Sequence, residues 1–144
     1  MRSIVRSIAS VVFGFIAASM VMMIVEVING MVLYPELGKA AAGVTDREVF
    51  RELFANVPIG ALVVVILAWI LGGIAGGFAA AWIAPPNKLL HAGILGGLLT
   101  LAGVANNLMI PKPIWIWVVS VMVFIPATLF GGYLTFQRKP ARSS

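Results

Sequence analysis

The chain has no cysteine, which excludes disulfides, thiol catalysis and thiolate metal sites. It has one histidine, His91, so a two-histidine metal or haem site cannot form within one chain. Charge is scarce: 10% of the 144 residues are charged, against about a quarter in a soluble domain. A surface so poor in charge cannot face water on every side. Asp and Glu together number five, and only Glu26 lies well inside a long apolar run. Paired acid–base chemistry therefore lacks a second membrane carboxylate. No G-x-S-x-G elbow, Ser/His pair at one depth or phosphate-loop spacing appears. These absences point away from an enzyme and give no reason to expect a cofactor or a bound metal.

What is present is apolar length. Hydrophobic residues make up 61% of the chain, and the mean hydropathy is +1.06. Four runs, at about residues 8–34, 58–84, 89–110 and 113–136, each exceed the ~20 residues a helix needs to cross a bilayer. The expected fold is all-α: a single four-span transmembrane bundle over residues 1–144. The first run is too long for the h-region of a signal peptide, roughly 7–15 residues, and reads as a retained signal anchor. Pro58 and Pro113 suit helix starts, where proline's missing N–H is no loss. Pro126 falls inside the fourth run and predicts a kink.

The net charge is +5 and the pI near 10.3. The basic residues are spread thinly over loops and tails, so membrane orientation explains them better than nucleic acid does. Arg2, Arg6, Lys88, Arg138, Lys139 and Arg142 share one side; Lys39, Arg47, Arg51 and Lys112 share the other. Six against four favours cytoplasmic N- and C-termini in a bacterial inner membrane. Trp115 and Trp117 would then mark the outer interface, and Trp82 and Tyr133 the inner one. His91 falls at the inner start of the third run and reads as interfacial.

Residues 35–57 form the one sizeable loop, on the outer side. Thr45 and Glu48 fit a capping box, with Val44 and Val49 placed to pack as a staple. Val49, Phe50, Leu53 and Phe54 then share one face, and Arg47, Glu48, Arg51 and Glu52 the other. A short amphipathic helix is expected here, as a structural lid or as a gate.

The second run carries Gly72, Gly73, Gly76 and Gly77; the third carries Gly93, Gly96, Gly97 and Gly103. Lipid gives helices no hydrophobic reason to associate, so small residues that allow close van der Waals contact mark packing faces. A tight antiparallel hairpin of spans two and three is expected, with a homodimer seam as the lesser alternative.

A carboxylate in lipid is costly and faces a partner, a cavity or the interface. Glu26 lies ~12 Å below Tyr34 and ~30 Å from Arg6 by helix rise, which puts it in the outer half. Asn29 follows one turn later on the same face, and Asn106 and Asn107 lie ~6–8 Å inside Pro111. If spans one and three touch, Glu26, Asn29 and Asn107 form a polar cluster. That cluster could lock helices together, bind a proton or cation, or meet a partner protein or lipid head group.

Several features together resemble a group of small, uncharacterised four-span bacterial membrane proteins. They are Glu26 late in span one, Tyr34-Pro35, Pro58-Ile59-Gly60-Ala61-Leu62, Ala68-Trp69, the glycine pairs, and Met109-Ile110-Pro111 through Trp115. That resemblance implies an inner-membrane location and no known activity. Val25-Glu26-Val27-Ile28 is similar to the stretch around the membrane carboxylate of small multidrug resistance transporters. This second resemblance implies a proton and a cationic substrate sharing Glu26, although the long loop and off-centre Glu26 depart from it. The leading expectation is a non-enzymatic component acting by helix association, as a homo-oligomer or accessory subunit of a larger membrane complex. The alternative is a small proton- or cation-coupled transporter using Glu26.

Overall fold

The computed structural model describes residues 1–137, so the tail basic residues Arg138, Lys139 and Arg142 lie outside the described residues. Six α-helices follow in order: α1 (Arg2–Ile28), α2 (Pro35–Ala41), α3 (Arg47–Ala55), α4 (Ile59–Ile83), α5 (Lys88–Met109) and α6 (Ile114–Gln137). A π-helical turn, Asn29–Leu33, continues α1. Among the described residues, four helices are long and apolar enough to cross a membrane, the architecture of a multi-pass membrane protein.

The first of these runs from Arg2 to Leu33, six residues earlier than the apolar run alone indicates. Helix formation does not stop where hydropathy falls, and nothing in residues 2–7 breaks it. Arg6 is therefore inside the helix. Its Nε donates to the Ile83 carbonyl at 2.7 Å, satisfying one of the free carbonyls at the end of α4.

The turns follow from local chemistry. Pro85 and Pro86 cannot continue α4, and Asn87 adopts a left-handed conformation (φ 76°) that its short polar side chain tolerates. Gly43 takes φ +75° between α2 and α3, a conformation that glycine adopts without a Cβ penalty.

The cap of α3 differs from the expected capping box. Asp46, not Thr45, is the N-cap: its Oδ1 accepts from Glu48 N at 2.8 Å and Val49 N at 3.4 Å. Asp46 has the extended backbone (φ −78°, ψ 128°) that an N-cap needs. Its carboxylate also suits a helix N-terminus. On α3, Phe50, Leu53 and Phe54 are half-buried, whereas Arg47, Glu48, Arg51, Glu52 and Val49 are exposed.

The centre of the bundle is α4, which packs against α1, α5 and α6. The expected glycine hairpin of spans two and three is replaced by a different use of the same residues. A Cβ on Gly72 would lie 2.5 Å from Met22 Cγ, and one on Gly76 would lie 2.7 Å from the Gly14 carbonyl; both neighbours are on α1. A Cβ on Gly73 would lie 2.8 Å from Ala127 Cβ, and one on Gly77 would meet the Thr128 backbone, both on α6. The two glycine pairs are offset by one residue, about 100° around the helix, so they serve two different neighbours. On α5, Gly96 and Gly103 face Ile125 and Phe124 of α6, while Gly93 is 3.7 Å (as a Cβ) from Leu129. Gly97 has none of the described residues within 4 Å of its Cβ position. The buried cluster of Ala18, Leu62, Trp69, Ala80, Leu95, Leu99, Ile116 and Phe124 joins the four long helices.

Candidate functional site

Glu26 lies one turn before the π-helical turn. That turn closes with Tyr34 N donating to the Asn29 carbonyl at 2.8 Å, an i→i+5 bond that widens the backbone there. Asn29 is 6% exposed, and its Nδ2 donates to the Ala61 carbonyl at 3.2 Å. Ala61 is near the start of α4, so Asn29 and Glu26 sit toward the loop end of the bundle. This agrees with the depth estimated from helix rise. Asn29 stands three residues after Glu26, on the same face of the helix, and both line one cavity. The bond to Ala61 identifies the Nδ2 side of the Asn29 amide. Among the described residues its Oδ1 is then a buried acceptor without a donor.

The four expected polar residues do not gather. Asn107, 2% exposed, donates from Nδ2 to the Ser120 Oγ at 2.8 Å. It thus joins α5 to α6 rather than closing on Glu26. The reason is packing: α5 lies mainly against α6 and only lightly against α1. Asn106, one residue earlier and exposed, lines a cavity that Glu26 also lines. Glu26 is therefore brought together with Asn29 and Asn106, and Asn107 belongs to a separate bond.

Two cavities meet at Glu26. The first, about 190 Å³, lies beneath the loop helices, with Leu37 and Gly38 of α2 and Phe50, Leu53 and Phe54 of α3 on its walls. Gly38 and Gly30 approach backbone to backbone there, since a Cβ on Gly38 would meet the Gly30 carbonyl. This contact seats α2 over the π-helical turn. The second cavity, about 350 Å³, is lined by Met22, Met23, Trp69, Asn106, Lys112 and Ile116 as well as Glu26.

Lys112 and Trp69 are the residues the sequence did not single out for this site. The Lys112 backbone lies between α5 and α6, beyond the end of the third span. Its ammonium nevertheless reaches back to 5.6 Å from the centroid of the Trp69 ring, within cation–π range. Burial pushes the Lys112 ammonium below its ordinary range, and attraction to the Glu26 carboxylate partly opposes this. Glu26 is thus not an isolated charge. A signal existed in Pro111-Lys112-Pro113, a lysine held in a very short connection between two spans, with no room to move far from the bundle end. Trp69 was also visible as a tryptophan far from either end of its span.

His91 is buried at 7% exposure, with Nδ1 3.1 Å from the Asn87 carbonyl. It is a packed, bonded residue and not one on the bundle surface. Among the described residues there is no group of three or more His, Asp or Glu side chains placed to hold a metal ion. No protein-family model, curated protein or solved structure matches the chain, so both resemblances drawn from its motifs rest on those residues alone.

Proposed function

We propose that this protein is a small, non-enzymatic membrane carrier that binds a proton or cation at Glu26. The observation that carries this reading is the orphaned Asn29 Oδ1 one turn from Glu26 on the same helix face, with both residues lining one cavity and Glu26 a second. A buried acceptor without a donor is unfavourable by about 1–3 kcal/mol. A carboxylic acid proton or a cationic ligand would satisfy the carboxylate and the amide oxygen together. Asn107, which could have closed the site by bonding Glu26, is engaged with Ser120 instead. In this reading α2 and α3 form the lid. The inner-membrane location, with cytoplasmic termini and the lid outside, follows from the distribution of basic residues.

The test uses purified protein reconstituted in lipid vesicles. Addition of tetraethylammonium should release protons from the wild type, reported by a pH-sensitive dye. Glu26→Gln should keep the wild-type melting temperature and release none. Undiminished proton release from that variant would remove Glu26 from the mechanism.

Helix association, within a homo-oligomer or a larger membrane complex, is a second reading. Gly97 favours it, because the space beside it is open and small residues allow another helix to approach. The glycines of α4 support it less, since their close contacts are with α1 and α6 of the same chain.

A further inference from the structure

The second cavity combines three features that recognise an organic cation. Trp69 offers an aromatic face, Glu26 a carboxylate, and Met22, Met23 and Ile116 apolar walls. An ammonium already occupies this arrangement: that of Lys112, 5.6 Å from the indole centroid. Its stem is an alkyl chain of four carbons, so the cavity as built receives an alkylammonium. Lys112 also has a second place to go. It lines a separate cleft with Arg47, Glu48, Arg51 and Pro111, in which Glu48 is an exposed carboxylate. One residue thus borders both the inner cavity and the cleft beside α3.

We propose that the Lys112 side chain is a tethered stand-in for the ligand, holding the place between Trp69 and Glu26 that the charged group of an alkylammonium ligand takes. The proposal rests on Glu26 as the cation site and adds the ligand class and the residue that must yield. Two cations cannot share one carboxylate without strong repulsion. Ligand entry therefore displaces the Lys112 ammonium toward the cleft, where Glu48 can receive it. Before a ligand enters, the tethered ammonium holds its place beside Trp69 and discriminates against weak cations. A ligand must exceed the local concentration of the tethered ammonium, which short tethers place in the millimolar range.

The probe is n-butylammonium, which has the lysine side chain's alkyl length and charge. Binding is read by Trp fluorescence and by melting temperature on full-length protein in detergent micelles. Lys112→Ala should bind the probe at least ten times more tightly than the wild type. Lys112→Met, which keeps the stem and removes only the charge, should also bind more tightly and serves if the alanine variant does not fold. Trp69→Leu in the Lys112→Ala background should weaken binding again. Equal affinity in the wild type and both Lys112 variants, with loss on Glu26→Gln, would overturn the stand-in role while leaving the Glu26 site intact. Binding that no change at Glu26, Lys112 or Trp69 alters would overturn both.

Discussion

Asn107 donates to the Ser120 hydroxyl at 2.8 Å, and that hydroxyl donates in turn to the Trp117 carbonyl at 2.8 Å. This bond ties α5 to α6 in a place where both side chains are almost fully buried. Ser120→Ala should lower stability by about 0.5–1.5 kcal/mol, because the Asn107 amide loses its partner without gaining water. Adding Asn107→Leu should recover much of that loss, since replacing both polar partners by apolar groups removes the unsatisfied amide. Thermal unfolding of the two single variants and the double variant in one detergent closes the cycle. A double variant less stable than Ser120→Ala alone would contradict the assignment.

Two glycines of similar sequence context should respond in opposite directions. At Gly77 an added methyl would meet the Thr128 backbone, so Gly77→Ala forces α4 and α6 apart. Overpacking of this kind typically costs about 1–3 kcal/mol. At Gly97 the position is open, and Gly97→Ala should be neutral or stabilising by up to about 1 kcal/mol through helix propensity. Denaturation midpoints in mixed micelles would measure both.

Lys112 predicts a pH dependence with a definite sign. Burial lowers its folded-state pKa, with Glu26 opposing the shift, whereas the unfolded side chain keeps a value near about 10.4. Between those two values the unfolded chain binds more protons, so stability rises as pH rises through that interval. The penalty is at full strength below it. Melting temperatures recorded from pH of about 8 to 11 should therefore climb in the wild type relative to Lys112→Met, in which this contribution is absent.

The close approach of Gly38 to the Gly30 backbone predicts a way to lift the lid. Gly38→Val should displace α2 from the π-helical turn and expose the cavity above Glu26. Since α2 contains no buried residue, the bundle should stay folded. Glu26 should then react faster with a water-soluble carbodiimide and amine, as followed by mass spectrometry of the modified peptide. An unchanged rate would mean that α2 does not cover the site.

The four spans were legible because hydropathy and proline mark them directly, and the structure shifts their ends by one residue except at the start of the first. There Arg2 and Arg6 end the apolar run without ending the helix. The pairing of helices was not legible. Glycines at Gly72, Gly73, Gly76 and Gly77 show that neighbours come close but carry no label for which neighbour, and α1 and α6 took the places assigned to α5. The site was half legible: Glu26 and Asn29 share a helix, so their spacing fixes their proximity. Lys112 and Trp69 come from other elements, and their approach depends on how a four-carbon side chain folds back, which linear spacing does not encode. Thr45 yielded to Asp46 because the two stand side by side and either can cap.

The central position of α4 bears on how the protein is assembled. A chain made from its N-terminus delivers α1 and α4 first, and Gly72 and Gly76 let those two dock as soon as the second span is inserted. The neighbouring face of α4, at Gly73 and Gly77, then waits in lipid until α6 arrives last. During synthesis that face is the vacant seat, and a sister chain or an insertion factor that reaches it before α6 does would divert the protein from its own fold.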